Sequence, residues 1–186
     1  MSLIPSASQT AGPFFNFALT TNHSLGTLAK EGAEGENIDL TFRVVDGAGA
    51  PTPGDSMIEI WQADAAGFYA NPLDGRSSEF DANFSGFGRL ETGVDGTCTF
   101  HTVKPGPVGL AAPHISVAVF ARGLPKQLFT RVYFAGDPRN AGDPVLALVP
   151  ESRRATLLAT QVPGSSGHWS MEIRLQGDAE TVFFEV

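Results

Sequence analysis

From Ile38 to Val44 every second residue is apolar: Ile38, Leu40, Phe42 and Val44 fall on one face, Asp39, Thr41 and Arg43 on the other. Successive side chains of an extended chain leave on opposite faces, so a period of two marks a half-buried β-strand. The run stops at Asp46-Gly47. Similar breaks follow at Pro51, Pro53 and Gly54, at Asp95-Gly96, which reads as a hairpin turn, and at Lys104-Pro105-Gly106-Pro107. The 21 Gly and 13 Pro make up 34 of the 186 residues. That is too many chain breaks for a helical bundle, yet below the share of roughly 25–30% that marks low complexity. Between the breaks lie short apolar runs: Met57 to Trp61, Thr97 to Val103, Ile115 to Ala121, Phe129 to Phe134, Trp169 to Leu175 and Thr181 to Val186. Ala65 to Gly88 reads as loop. Glu151 to Thr160, preceded by Pro150, is the one helix the pattern predicts. Short strands separated by Gly/Pro turns predict an all-β fold, an antiparallel β-sandwich with long loops and one short helix.

The length fits one domain. Residues 38–186 form its body, and residues 1–37, with little periodicity, read as an extended N-terminal arm. The arm carries Phe14, Phe15 and Phe17, which this domain or a neighbour must cover. Charged residues are only 17% of the chain, against about a quarter in ordinary domains, and there are 14 Phe. Either the core is rich in Phe, or apolar surface is buried against a partner subunit. The formal charge of −8 repels phosphate backbones, which argues against nucleic-acid binding. No apolar run approaches the roughly 18 residues of a membrane span. The first cation is Lys30, so the basic start of a secretory signal is missing and a soluble, cytoplasmic protein is expected. Cys98 stands alone in the chain. It cannot close an intrachain disulfide, and its place in an alternating run predicts a buried, inert thiol.

The four histidines, His23, His101, His114 and His168, include no pair at i, i+4 on a helix and no His-x-His. Local zinc signatures, phosphate-binding glycine loops and the G-x-S-x-G elbow are all missing.

The informative stretch runs from Trp61 to Pro138. It contains Ile60-Trp61-Gln62-Ala63-Asp64, Gly67-Phe68-Tyr69, and Asp81-Ala82-Asn83-Phe84-Ser85-Gly86-Phe87-Gly88-Arg89. Further on stand Thr102-Val103-Lys104-Pro105-Gly106, Pro113-His114-Ile115-Ser116 and Thr130-Arg131-Val132-Tyr133-Phe134-Ala135-Gly136-Asp137-Pro138. In this order the motifs resemble those of the intradiol ring-cleaving dioxygenases. Ser8-Gln9-Thr10-Ala11-Gly12-Pro13-Phe14 and the stretch from Ile173 through Phe184 extend the resemblance over nearly the whole chain.

That family binds Fe(III) through two tyrosinates and a His-x-His pair, since residues i and i+2 of a strand share a face and both imidazoles reach one ion. At the matching positions this sequence has His114 and then Ser116. Val108 stands for one tyrosine, and Arg76 falls near the place of the other. One ligand of four is left, and a single imidazole cannot hold ferric ion. The resemblance therefore implies no metal ligand and no catalytic residue in this chain. It implies the iron-free α member of a two-chain enzyme whose homologous β chain carries the Fe(III). The pair would cleave 3,4-dihydroxybenzoate between its hydroxyls with O2 and assemble further with other αβ pairs. By the same resemblance Thr10, Gly12 and Pro13 of the arm and Arg122 at a strand end line the shared substrate site. Tyr69 and Tyr133 are implied to be structural buried rings, and Arg89 and Arg131 scaffold or interface ion pairs. Two other functions fit the residues less well: a stand-alone, catalytically inactive β-sandwich binding module, and a self-sufficient metalloenzyme with unusual ligands.

Overall fold

The computed structural model describes residues 7–10, 12, 17–52, 56–71, 73 and 77–185. The alternating runs become strands β1 (Asn37–Val45), β2 (Ser56–Gln62), β4 (Thr97–Val103), β5 (His114–Ala121), β6 (Leu128–Phe134) and β8 (His168–Arg174), joined by β3 (Phe87–Glu91) and β7 (Leu158–Gln161). They form one row in the order β3-β2-β5-β6-β7-β8-β1-β4. Five of the seven pairings are antiparallel. The other two, β1 with β8 and β6 with β7, are parallel.

The row bends at β7, so that β3-β2-β5-β6 and β8-β1-β4 enclose one core in a nearly closed sandwich. The apolar face of β1 (Ile38, Leu40, Phe42, Val44) joins Ile58 and Ile60 of β2 and Ile115, Val117 and Val119 of β5 in a single buried cluster. Aromatic rings knit it together edge to face: Phe42 meets Phe100 at 5.9 Å between centroids, and Phe134 meets Trp169 at 5.1 Å. Gln62 and Thr102, both fully buried, cross this core as a satisfied polar pair. The Thr102 hydroxyl donates to Gln62 Oε1 at 2.8 Å, and Gln62 Nε2 donates to the Val103 carbonyl at 2.9 Å.

The two ends of the row, β3 and β4, are stitched together by residues 27–30. Leu28 N donates to His101 O of β4 at 2.8 Å. Ser85 N, just ahead of β3, donates to Leu28 O at 2.8 Å, and Lys30 N donates to Asn83 O at 3.0 Å. Leu28 itself is fully buried in the core. This part of the segment 1–37 thus lies against the body of the fold.

Three local expectations are corrected. The helix over 151–160 ends at Arg154. A 3₁₀ turn, Ala155–Leu157, follows, and Leu158 already starts β7. β7 pairs with both β6 and β8, so the pairing that joins the two halves overrides local helix propensity. The run 181–186 does not form a strand over residues 181–185. It makes a single bridge, Phe129 with Phe184, because the Val182 carbonyl accepts from the Thr130 hydroxyl and the Val182 amide donates to Thr156 Oγ1 instead of to the β6 backbone. Asp95-Gly96 is a turn but closes no hairpin: β3 and β4, which it joins, sit at opposite ends of the row. β3 itself is masked in the sequence by Gly86 and Gly88. A Cβ at Gly88 would meet Leu28 and Leu25, so the glycine there lets the stitching segment approach the strand. No helix among the described residues is long and apolar enough to cross a membrane.

Candidate functional site

The outer face of the β3-β2-β5-β6 half carries the residues singled out by motif. Strand register aligns them in rows. Phe87 lies opposite Trp61, Trp61 opposite Ser116, and Ser116 opposite Arg131. In the next row His114 faces Tyr133. The period of two that sends Ile115 and Val117 into the core sends His114 and Ser116 to this face. A cavity of about 460 Å³ opens over it, floored by Trp61, Ser116, Ala118 and Arg131 and walled by Phe87, Phe129, Val145 and Phe184.

Beside the cavity lies a second apolar cluster of Ala112, Tyr133, Leu146, Val149 and Leu157. Asp143 organises it from a fully buried position. Its Oδ1 accepts from the Tyr133 hydroxyl at 2.9 Å and from the Val145 and Leu146 amides at 2.9 and 2.7 Å, and its Oδ2 accepts from the Ala112 amide at 2.9 Å. Burial alone would raise the Asp143 carboxyl, but the hydrogen bonds it accepts outweigh burial and hold it below its ordinary pKa. Burial pushes the Tyr133 phenol up to about 12. His114 is buried. Its Nδ1 donates to the Ala112 carbonyl at 2.8 Å, and desolvation is the largest effect lowering its pKa, with the Arg131 charge acting in the same direction.

This arrangement does not fit a ferric ion. Next to the single imidazole of His114 the strand presents the neutral hydroxyl of Ser116, and the adjacent strand presents the guanidinium of Arg131, which stays protonated and cannot ligate. Val108 forms a bridge with Ala111 and offers no donor side chain. Arg76 lies outside the described residues. Tyr69 stacks on Trp61 at 5.9 Å. Arg89 pairs with Glu59 at 2.6 Å within the scaffold, while Arg131 makes no ion pair with a carboxylate among the described residues and faces the cavity instead. The alternation of Phe129, Arg131 and Tyr133 on one face of β6 is the signal that places Arg131 here; reading it as an ion-pair former misses its place in the cavity. Asp143 carries no motif signal, since its partners come from three separate segments.

Of the residues implied to line a shared substrate site, Thr10 and Gly12 lie elsewhere, at the turn between β5 and β6 that carries Arg122. Gly123 follows Arg122 with φ +93°, a left-handed conformation that suits glycine, and its amide donates to the Thr10 hydroxyl at 2.6 Å. Thr10, Gly12, Phe120, Leu124 and Lys126 line a cavity of about 330 Å³ at this turn. Arg122 is exposed beside it. The arm and the strand end, 113 residues apart between Thr10 and Gly123, are thus brought together. Lys126, a second cation in the same place, is not singled out by the sequence. Pro13 lies outside the described residues.

The other motif residues are scaffold. Asp64, buried, accepts from the amides of Ala66, Phe68 and Asp81, and its carbonyl accepts from the Gly106 amide at 2.8 Å. Gly67 has φ +89°, and a Cβ there would collide with the Pro107 carbonyl. Lys104 lies over the Phe134 and Trp169 rings at 5.3 and 5.5 Å. Cys98 is buried, and desolvation pushes its thiol up to about 12.

Residues 10–177 match the family model described as Dioxygenase. The chain is similar to the protocatechuate 3,4-dioxygenase alpha chain of Burkholderia cepacia, 42% identical over 96% of each chain. It is also similar to that of Pseudomonas putida, 40% identical over 100% of this chain and 98% of the other. The beta chain from Burkholderia cepacia is 34% identical over 84% of this chain and 72% of its own. Among solved structures, the dioxygenase domain of a dioxygenase carbohydrate-binding protein fusion from Streptomyces sp. SirexAA-E superposes with a TM-score of 0.65 and 26% identity, over 94% of this chain and 99% of that one. This chain belongs to the intradiol ring-cleaving dioxygenase family and is homologous, over nearly its whole length, to the alpha chains of protocatechuate 3,4-dioxygenase.

Proposed function

We propose that this chain is the iron-free α subunit of a heteromeric oxidoreductase that opens 3,4-dihydroxybenzoate between its hydroxyls with O2, the Fe(III) being held by a homologous β chain. The observation that carries the reading is the set His114, Ser116 and Arg131 on one face of β5 and β6. Where the family gathers anionic and imidazole ligands, this chain offers one buried imidazole beside a permanent cation. Its own contribution is then to the partner's substrate pocket. Thr10, Gly12 and Pro13 form a wall of that pocket, with the missing side chain of Gly12 letting backbone approach a planar ring. Arg122, with Lys126 nearby, supplies positive charge to orient the substrate carboxylate. Within the segment 1–37, the residues ahead of the stitch at 27–30 act as the arm that reaches the β chain, and αβ pairs assemble further in the cytoplasm.

Co-expression with a β chain carrying two tyrosines and His-x-His gives the preparation for the test. Arg122→Ala is expected to raise KM for 3,4-dihydroxybenzoate about 10-fold, the order of one lost charge-assisted hydrogen bond. Complex size in gel filtration is expected to stay the same. Unchanged kinetics would remove Arg122 from the site, and a chain that runs as a stable monomer without any β partner would favour the free-standing binding module.

A further inference from the structure

The cavity on the outer face of the β3-β2-β5-β6 half has no part in the function just proposed, yet it has the makings of a binding site. At about 460 Å³ it falls in the range of small-molecule pockets, roughly 300–1,000 Å³. Four aromatic residues, Trp61, Phe87, Phe129 and Phe184, line it, contributed by β2, β3, β6 and the C-terminal segment. Such walls suit a planar ring, which stacks or meets an edge. Two polar groups converge on the floor, Ser116 and Arg131, cross-strand partners in β5 and β6. Charge decides what the ligand's polar end must be. Glu59, also at the cavity, is neutralised by Arg89 through contacts of 2.7 Å from Nε and 2.6 Å from Nη2. Glu185 is exposed, at the chain's end. Arg131 has no carboxylate among the described residues in ion-pair contact, while its charge is felt by His114, Tyr69 and Tyr133 around it. A guanidinium at the floor of an apolar pocket recognises a carboxylate by a two-pronged hydrogen bond.

We propose that this cavity binds a monocyclic aromatic carboxylate, its ring among Trp61, Phe87, Phe129 and Phe184 and its carboxylate on Arg131, with Ser116 adding a hydrogen bond. The ligand is held there without being transformed. The site is this chain's own and does not depend on the assignment of a second, iron-bearing pocket to a partner.

The probe is 4-hydroxybenzoate, whose single hydroxyl prevents cleavage between two. Isothermal titration calorimetry on the full chain, with any partner it co-purifies with, counts equivalents, while visible absorbance follows the iron centre separately. One equivalent per copy of this chain is expected beyond the equivalents that perturb the iron spectrum. Arg131→Met weakens that extra equivalent about 10- to 100-fold, as loss of a charge-assisted pair would. Ala118→Leu, which fills the floor between Glu59 and Phe129, abolishes it, and both variants leave the response at iron in place. 4-Hydroxybenzamide, the neutral isostere, does not bind. The proposal is overturned if bound ligand equals iron content alone, if 4-hydroxybenzamide binds as well as the anion, or if Ala118→Leu binds like the parent; this last variant decides the matter should Arg131→Met fail to fold. This chain purified alone and still taking one equivalent supports the pocket by itself, while the α-subunit reading stands or falls separately, on the iron content of the co-expressed complex.

Discussion

Asp143 shows how much one side chain holds in this fold. Its carboxylate takes four hydrogen bonds from Tyr133, Ala112, Val145 and Leu146 in a fully buried place. Asp143→Ala leaves those donors buried without partners and is expected to cost about 3 kcal/mol or more in urea unfolding. Asp143→Asn keeps three acceptor contacts but turns an amide NH2 toward the Ala112 N–H, so it should cost less than the alanine variant. If both variants unfold at the parental midpoint, the network has no structural weight. The pH profile follows from the same neighbours. Asp143 and His114 both titrate below their ordinary ranges in the fold. Their contributions are therefore present at neutral pH and are lost on acidification. That of His114 starts to fall below its ordinary value of 6.5, and that of Asp143 at more acid pH, below 3.8. Tyr133 works the other way. Its phenol, ordinarily at 10.0, titrates at about 12, so stability falls as pH rises between those values. Thermal melts across pH should thus show a broad neutral plateau with an acid limb beginning near 6.5 and an alkaline limb beginning near 10. A Tyr133→Phe variant should lose part of the alkaline limb and, with one donor to Asp143 gone, also weaken the Asp143 share of the acid limb.

Strand alternation makes most of the elements legible in the amino-acid order alone. β4 runs from Thr97 to Val103 as the pattern has it, and β1, β2, β5, β6 and β8 differ from it by one residue at one or both ends. What local pattern misses depends on distant pairing. β7 exists because β6 and β8 both need a neighbour, and β3 because Gly88 admits the segment 27–30 beside it. That segment is the least obvious structural part of the molecule. Low periodicity makes residues 1–37 read as an arm, yet Leu28 sits in the core and bonds to both ends of the row. Leu28→Ala is expected to cost about 2–5 kcal/mol, as buried leucines do, and to speed amide exchange at Lys30 and Ser85, which donate in the stitch, more than at β5. Protection that falls uniformly, or not at all, would mean that the stitching across the ends of the row contributes little.

The family is legible from the order of its motifs, and so is the mismatch between His114-Ile115-Ser116 and a His-x-His pair. The place of Arg131 in a cavity and the contact of Thr10 with Gly123 emerge only in the tertiary structure, because neither leaves a local periodic trace. Together these residues describe a chain with two faces. One holds an aromatic-walled cavity with a cation at its floor, unsuited to ferric ion. The other brings Thr10, Gly12 and Lys126 together at the β5–β6 turn, beside Arg122, and is the face we propose for the partner chain. The composition agrees with such a partnership, since 17% charged residues is low for a domain that would stand alone in water. Metal analysis of the co-expressed αβ complex, with the two chains quantified separately and this chain also purified alone, bears most directly on the division of labour. The account predicts one iron per β chain and none retained by this chain alone, whose solution is colourless. Stoichiometric iron on this chain by itself, with a visible ligand-to-metal band, would contradict it.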